Sequence, residues 1–376
     1  MAHAYTPGLR VTKSTILRKE RRLPLPGEVI VKVGDRVEAE DIVARTHLPG
    51  NVKSVNVANK LSLPPSDVAA CMTKKVGNPV EKDEVIAQTK TFFGLFTPTC
   101  VSPIKGTIES ISKITGQVLV REMPIPVEMR AYIDGQVIEI LPDEGVVVES
   151  GTAFIQGIFG IGGESGGEIK VLVSNPSEIL EESLIDSSCK DKLLVGGSLV
   201  TEPALKKAVS VGAKGIVVGG LNAKDLKNIL GYDIGVAITG SEKVGVTLVI
   251  TEGFGGISMA SRTFDLLKSR EGEKASINGA TQIRAGVIRP EVIIPLAEQG
   301  SVKKEKTAQK NVGMTSGHVV RIIREPNFGM LGEVLELPAE LEVMESETKV
   351  RVLRARLLKT GEEVTIPRAN VEIIES

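Results

Sequence analysis

The chain has few of the side chains that usually carry chemistry at protein sites. Its 376 residues include no tryptophan, three tyrosines, eight phenylalanines, three cysteines and three histidines. With an aromatic content of 3%, its cores are expected to consist of Val, Ile and Leu, which is typical of β-rich and α/β proteins. The same scarcity argues against aromatic surfaces that stack on bases or sugars.

Cysteine and histidine are too sparse to predict a metal centre. Cys71, Cys100 and Cys189 are far apart and lack C-x-x-C spacing, which excludes a four-cysteine zinc or iron–sulfur site. We therefore expect no metal and no cofactor in this protein. A small, odd number of cysteines is typical of a reducing cytoplasm rather than of a disulfide scaffold.

A strong net charge and a long apolar run are also missing. The formal net charge of −1 provides no overall attraction to nucleic acid or to anionic membranes. No run of about 18 apolar residues occurs, and the N-terminus lacks the apolar core of a signal peptide. We therefore predict a cytoplasmic protein that does not associate with membranes.

One short pattern occurs twice near the N-terminus. It reads VKVGDRVEAEDIVART from Val31 to Thr46 and KKVGNPVEKDEVIAQT from Lys74 to Thr89. Each copy predicts two strands joined at a Gly-Asp or Gly-Asn turn, because these residues tolerate the positive φ that tight turns need. The segment VSPIKGTIESISKITGQVLV, residues 101–120, has the pattern of the matching half of a small β sandwich.

Residues 75–120 resemble a barrel-sandwich hybrid, the fold of biotinyl and lipoyl carriers and of the N-terminal part of RnfC-like electron-transport subunits. The matching elements are VGNPVEKDEVIAQT and VSPIKGTIESI. In carriers, a lysine on the hairpin between these elements bears the cofactor. The corresponding stretch here, residues 91–100, has no lysine, and neither Lys90 nor Lys105 lies in a carrier motif. The resemblance therefore implies the fold without the attachment site.

The same hairpin stretch contains three of the eight phenylalanines of the chain, Phe92, Phe93 and Phe96. On an exposed hairpin these side chains would form an apolar patch for a protein partner. In the other interpretation, the hairpin folds against an adjoining domain.

Strand and helix patterns alternate between residues 176 and 300, which predicts an α/β domain. Thr201 is a start signal and Gly212 a stop signal for one helix, and Gly231 is a stop signal for the next helix. The predicted helices are Ser177–Glu182, Pro203–Val211, Ala223–Leu230 and Ser258–Arg270, and the predicted strands are Lys192–Val195, Gly215–Val218, Gly235–Thr239 and Gly245–Thr251.

Polar residues and glycines follow two of these strands, where α/β sheets bind ligands. The candidate ligand-binding residues are Asn222, Glu252, Gly253, Gly255 and Ser258. No histidine, cysteine or working carboxylate pair accompanies them, so the competing interpretation is structural turns and caps. The glycine-rich stretch 157–167 lacks the spacing of a phosphate loop and predicts a flexible turn or hinge.

The final segment has the most specific local pattern. GHVVRIIREPNFGMLGEV, residues 317–334, is similar to the KOW motif of the small SH3-like barrels in NusG-type transcription factors and some ribosomal proteins. VTIPRANVEII, residues 364–374, is similar to the closing strands of such a barrel. In that family the loops contact RNA, ribosome or RNA polymerase, which implies partner-binding roles here for Arg321, Arg324, Asn327 and Phe328.

The charge of this segment argues for a protein contact. Residues 313–376 contain eight lysines and arginines against eleven glutamates, a net charge of −3. Phosphate-binding surfaces normally have clustered positive charge. Two interpretations of its cations are open, a basic stripe over residues 349–359 or a strand face paired with the glutamates. Nucleic-acid binding is therefore left undecided.

The sequence as a whole predicts a multidomain protein with a β-rich barrel-sandwich hybrid, an α/β middle domain and a small C-terminal SH3-like β barrel. The predicted division is an N-terminal basic segment (1–22), a β-rich sandwich-hybrid region (23–175), the α/β domain (176–300), a basic linker (301–312) and the KOW-like barrel (313–376).

We predict a non-catalytic interaction or scaffold protein that docks on a larger assembly. RNA polymerase or the ribosome is the first candidate partner, because KOW modules serve transcription and translation. One alternative is an enzyme or ligand-binding protein that uses the Gly253–Ser258 loop. Another is a self-assembling, homo-oligomeric structural protein.

Overall fold

The structure, a computed structural model, is β-rich and contains several sheets, which confirms the general fold prediction. It describes residues 9–89, 98–231, 242, 244–281, 288–296, 314–322, 327, 330–343 and 349–373. None of the helices in these ranges is long and apolar enough to cross a membrane. The candidate residues Phe92, Phe93, Phe96, Arg324 and Phe328 lie outside the described residues, as do the predicted strand at 235–239 and the basic linker.

The strands are numbered in chain order. The first fifteen are β1 (Val11–Arg22), β2 (Glu28–Val29), β3 (Arg36–Val37), β4 (Ile42–Leu48), β5 (Val52–Asn56), β6 (Pro79–Val80), β7 (Val85–Gln88), β8 (Thr99–Val101), β9 (Gly106–Ile111), β10 (Gln117–Arg121), β11 (Ile125–Arg130), β12 (Gly135–Leu141), β13 (Gly145–Gln156), β14 (Phe159–Ile161) and β15 (Glu164–Val171). The others are β16 (Ile179–Leu180), β17 (Lys192–Val195), β18 (Leu199–Val200), β19 (Gly215–Leu221), β20 (Thr247–Phe254), β21 (Lys274–Asn278), β22 (Glu291–Pro295), β23 (Val319–Ile322), β24 (Leu331–Glu336), β25 (Leu341–Val343), β26 (Lys349–Leu357), β27 (Glu363–Pro367) and β28 (Val371–Ile373). The helices are α1 (Val57–Leu61), α2 (Val68–Cys71), α3 (Glu202–Val211), α4 (Ala223–Leu230) and α5 (Ser261–Ser269).

The two copies of the repeated pattern adopt the same backbone structure. Gly34 and Gly77 have φ values of 96° and 86°, as the turn requires. The Gly34 amide donates to the Val137 carbonyl at 2.8 Å, and the Gly77 amide donates to the Ile108 carbonyl at 2.8 Å. The strand after each turn pairs in the same register, Val37 with Gly135 in one copy and Val80 with Gly106 in the other.

The second copy is inserted into the first. In the first copy, β3 pairs with β12, so residues 131–149 provide its second half. In the second copy, β6 pairs with β9, so residues 102–121 provide its second half. The chain therefore leaves the first copy after β4, builds the whole second copy, and returns at β11, which pairs with β4. We call residues 49–122 the nested unit, and residues 23–48 with 123–150 the outer unit.

The nested unit has its own core and few ties to the rest of the protein. Its core consists of side chains from the nested unit alone, among them Val55, Ile86, Cys100, Ile108 and Val118. Within the described part of the chain, no hydrogen bond or ion pair joins residues 53–121 to residues outside the nested unit. The unit is connected through the neighbouring chain segments 48–52 and 121–125.

A thirteen-stranded sheet joins the outer unit to the α/β region. Its parallel part has the order β20-β19-β17-β15, and antiparallel strands continue it through β21 and β22 to β13 and β12. The sheet therefore contains strands from both sides of the predicted domain boundary at residue 175. Residues 11–22 of the predicted N-terminal basic segment (1–22) form β1, which pairs with β13.

Helices cover both faces of the parallel strands. Leu194, Ile216 and Leu248 point toward the core under α3 and α4, and Val217 and Val249 point toward the core under α5. Because both faces are covered, β19 is apolar throughout instead of alternating, and β17 and β20 have continuous apolar runs at Leu193–Val195 and Leu248–Ile250.

The helix predictions with clear caps are confirmed. Thr201 accepts a hydrogen bond from the Ala204 amide at the start of α3, and Gly212 and Gly231 end α3 and α4 with φ values of 80° and 79°. The predicted helix Ser177–Glu182 is wrong, because Leu180 is fully buried in strand β16, which pairs with β18.

The glycine-rich stretch 157–167 is also not a hinge. It contains β14 and the start of β15, which are joined by a turn at Gly162-Gly163 with φ values of 105° and 68°, and Phe159 and Ile161 lie in the core beside β20. A Cβ atom on Gly160 would lie 2.6 Å from Pro290 and 2.7 Å from the Gly279 carbonyl. The glycine therefore permits close packing rather than flexibility.

The C-terminal unit is a separate six-stranded arrangement, β25-β26-β24-β23-β28 with β27 paired to β26. Its core includes Val320, Val334, Leu353, Leu357 and Val371, which come from strands spread over the whole segment. The described residues of this segment thus form strands and one short 3-10 turn at Arg368–Asn370, as the predicted all-β character requires.

Equivalent glycines in the two copies offer a test of the independence of the nested unit. A Cβ on Gly106 would lie 2.0 Å from the Arg121 carbonyl oxygen, and one on Gly135 would lie 2.4 Å from that of Glu149. We expect Gly106→Ala and Gly135→Ala each to destabilise their own unit by about 1–3 kcal/mol, as overpacking does. Hydrogen exchange measured by mass spectrometry should then rise only within residues 52–121 for the first variant and only outside them for the second. If either variant exchanged faster both within residues 52–121 and outside them, the nested unit would not be independent of the rest of the protein.

Candidate functional site

The candidate ligand-binding residues all lie where the parallel strands end. Glu252 and Gly253 lie near the end of β20, which finishes at Phe254, and Asn222 directly follows β19. The Gly255 amide donates to the Leu221 carbonyl at 2.9 Å, which holds the two loops together. The structure therefore brings these sequence-predicted residues to one edge of the sheet.

Double-glycine pairs lie near the ends of three neighbouring strands at this edge, one within the last residues of β19 and two directly after β17 and β20. Besides Gly219-Gly220 and Gly255-Gly256, the chain has Gly196-Gly197 directly after β17. A Cβ on Gly220 would lie 1.9 Å from the Gly255 carbonyl oxygen, so the loops are in backbone contact. The third turn was missed in the sequence, although its position after an apolar strand has the same pattern as the other two.

The polar side chains at this edge bind one another. Asn222 donates to Asp225 at 3.2 Å, and Ser258 donates to the Ser177 hydroxyl at 3.0 Å. Glu252 is buried, and one of its carboxylate oxygens accepts the Ala260 amide at 3.0 Å, just before α5. These bonds are those expected of structural turns and caps.

The other Glu252 oxygen binds the C-terminal unit. Arg321 on β23 donates to it at 2.6 Å, and the side chains of Arg321 and Glu252 are only 3% and 9% exposed. Lys359 also lies at this edge, because a Cβ on Gly255 would be 3.1 Å from its amino group. One predicted partner-binding residue thus binds one predicted ligand-binding residue inside the protein.

Two of the four cations of β26, Arg354 and Arg356, are paired with glutamates. Arg354 donates to Glu336 at 2.9 Å and to Glu342 at 3.4 Å, and Arg356 donates to Glu363 at 2.8 Å. Glu363 raises the pKa of Arg356 above its ordinary value. The paired-face interpretation therefore describes these two arginines. Asn327, the remaining described candidate, accepts the Met330 amide through its backbone carbonyl at 3.1 Å.

A buried charged cluster lies between the outer unit and the large sheet. The Tyr132 hydroxyl donates to Glu291 at 3.2 Å, and its ring lies 5.9 Å from the Lys19 amino group and 5.1 Å from the Arg21 guanidinium. Burial, followed by the neighbouring Glu291 carboxylate, raises the pKa of Tyr132 well above 10. Arg21 also binds both oxygens of Glu164, at 2.8 and 2.7 Å. These closed contacts join structural units and leave Tyr132 inaccessible to a substrate.

An open cleft of about 810 Å³ lies beside this cluster, lined by the outer unit, the large sheet and the end of α5. Its walls are charged, but Lys274 pairs with Glu38 at 3.3 Å and Arg270 pairs with Glu273 at 3.1 Å. Across the described residues, no group of three or more His, Cys, Asp or Glu side chains is arranged to hold a metal ion. Two of the cations that line the cleft are thus engaged in ion pairs with carboxylates of its own walls.

The buried ion pair at the sheet edge can be tested by substitution. Arg321→Met would leave the buried Glu252 charge without its cation, and we expect it to cost about 3–5 kcal/mol of unfolding free energy. Arg354→Met, at an exposed pair, should cost about 0–1 kcal/mol. The double variant Arg321→Met/Glu252→Gln should recover part of the loss, because glutamine can still accept the Ala260 amide. Urea unfolding measures the unfolding free energy of all three variants. Equal losses of unfolding free energy for Arg321→Met and Arg354→Met would contradict the burial of the Arg321–Glu252 pair.

No protein-family model matches the chain, and no curated protein matches it significantly.

Proposed function

We propose that this chain is a non-catalytic multidomain scaffold protein that docks on a larger assembly and presents the nested unit to a further protein. The observation that carries the proposal is the isolation of the nested unit. A module that uses little of its surface for contacts within its own chain has that surface available to partners. The nested unit also contains nine lysines and arginines against six aspartates and glutamates, while the whole chain has a net charge of −1. We therefore expect an acidic protein partner for it.

The fold assignments belong to the same proposal. We take the outer and nested units to be two barrel-sandwich hybrids without a carrier lysine, and the C-terminal unit to be a KOW-like SH3 barrel. The repeated turn and its hydrogen-bond register support the first assignment. The order of short antiparallel strands around the apolar core of residues 319–373 supports the second. From the KOW resemblance, RNA polymerase or the ribosome remains the first candidate assembly.

The ligand-binding alternative is less well supported at the Gly253–Ser258 loop. The bonds of Glu252 to Arg321 and Ala260, and that of Ser258 to Ser177, engage the side chains that a ligand would use. The backbone contact between the glycine loops supports the same view. In a scaffold protein, this edge of the sheet would serve only to attach the C-terminal unit.

Removal of the nested unit provides the test. Residues 50 and 122 are adjacent, since a Cβ on Gly50 would lie 2.2 Å from the Glu122 carbonyl oxygen, so residues 51–121 can be replaced by a short Gly-Ser turn. We expect affinity capture from extract of the source organism with the full chain to recover polymerase or ribosomal components and additional proteins. The shortened protein should retain the machinery and lose the additional proteins.

Two results would contradict the proposal separately. Capture that recovers neither polymerase nor ribosomal components would make the first partner assignment wrong. An unchanged set of captured proteins after excision would make the docking role of the nested unit wrong. Hydrogen exchange on the shortened protein serves as the control that the remaining sheet is still folded.

A further inference from the structure

Strand β25 lies at the edge of the C-terminal unit and carries exposed aliphatic side chains. Leu341 is 55% exposed and Val343 is 62% exposed. β25 pairs with β26 on one side, and among the described residues no strand pairs with its other side. A free strand edge with exposed aliphatic residues is a template for an added strand.

The exposed aliphatic residues lie beside two cations of β26 for which the described residues provide no ion-pair partner. Leu341 lies directly opposite Arg351, and Val343 lies directly opposite Lys349, so each pair shares one face of the sheet. Arg354 and Arg356 on the same strand are paired with glutamates. Across the described part of the chain, neither Lys349 nor Arg351 forms an ion pair. Among the described residues, the cations of β26 without an ion pair are therefore those beside the exposed aliphatic side chains.

A third cation adds to the positive charge of this corner. Arg368 donates to the backbone carbonyls of Val352 at 2.9 Å and Pro338 at 2.7 Å, rather than to a carboxylate. Burial, together with the nearby Arg351, lowers the pKa of Arg368 below its ordinary value. Three cations therefore lie at this corner, where Glu340 and Glu342 flank Leu341 and Glu342 is paired with Arg354, although residues 313–376 have a net charge of −3.

The chemistry of this surface fits a peptide better than a nucleic acid. Phe328 is the only aromatic residue between positions 313 and 376, so the segment lacks a platform on which bases could stack. Aliphatic residues at the free edge match aliphatic residues of an added strand. The long stems of Lys349 and Arg351 allow their charged ends to reach acidic residues beside them.

We propose that Leu341, Val343, Lys349 and Arg351 form a docking edge for an extended peptide in which two aliphatic residues are flanked by acidic ones. The peptide adds a strand beside β25, its backbone pairs with the free edge, and its acidic side chains bind the two cations. This inference rests on the proposed scaffold function and names one surface and the class of partner for it.

The test uses the full chain and a fluorescently labelled probe peptide, Glu-Thr-Val-Thr-Val-Thr-Glu, in which alternate residues place both valines and both glutamates on one face. Fluorescence anisotropy should show saturable binding. A peptide with lysine for both glutamates, and one with serine for both valines, should each bind at least tenfold more weakly. Absence of saturation by about 1 mM protein, the affinity of a very weak complex, would overturn the proposal.

Matched protein variants separate the two parts of the docking edge. Leu341→Ser/Val343→Ser and Lys349→Glu/Arg351→Glu should each weaken binding of the first peptide at least tenfold. The charge-reversed variant should instead bind the lysine peptide. Leu358→Ser and Arg354→Gln should stay within twofold of the original protein, since Leu358 is equally exposed at 55% elsewhere in the unit and Arg354 is paired with glutamates. Thermal unfolding checks that every variant is folded, and equal losses in the control variants would overturn the proposal.

Two further outcomes would assign the surface to another partner. Tighter binding of a labelled single-stranded RNA, lost in Lys349→Glu/Arg351→Glu but kept in Leu341→Ser/Val343→Ser, would show a nucleic-acid surface. A dimer in sedimentation that Leu341→Ser/Val343→Ser converts to a monomer would show an edge between two copies of this chain. Either result overturns the peptide proposal, whereas the capture experiment tests the scaffold function independently of it.

Discussion

Strand β13 is the element on which most of this architecture depends. It pairs with β12 of the outer unit, with β1 along its whole length and with β22 of the large sheet. Its residues Val146 and Val148 point into the core of the outer unit, and Ala153 and Ile155 point into the core under α5. A single strand thus contributes to two hydrophobic cores, so the outer unit and the α/β region cannot separate without exposing both.

Charge pairing completes the connections that β13 begins. The basic side chains of β1 bind acidic residues of other strands, Lys19 with Glu291 and Arg21 with Glu164. The buried pair of Arg321 and Glu252 attaches the C-terminal unit at the end of the parallel strands. Because burying an unpaired charge is costly, such pairs favour one arrangement of the units over others. Two of the candidate site residues, Glu252 and Arg321, are thus engaged in joining the units of the protein.

Local signals were read correctly where the local chain decides the structure. Thr201, Gly212 and Gly231 determine the ends of two helices through caps that involve only nearby residues. The helix expected at 177–182 failed because burial of Leu180 and pairing with β18 outweigh a weak helical pattern. The glycines of 157–167 were read as a flexible turn or hinge because their sequence does not show which backbone lies against them. The nested arrangement was missed too, although residues 103–111 and 132–140 have the similar patterns PIKGTIESI and YIDGQVIEI.

The sequence by itself determined the β-rich character of the chain, the repeated turn, the capped helices of the α/β region and the scarcity of side chains for metal or nucleophilic chemistry. These properties depend on composition, on residue type at turns and on periodicity, all of which act over a few residues. Only the tertiary structure decided that one repeat lies inside the other, that Arg321 binds Glu252, and that Lys349 and Arg351 are left beside exposed aliphatic residues. Each of these depends on strand pairing between distant segments, whose register follows from the packing of the cores rather than from any local pattern.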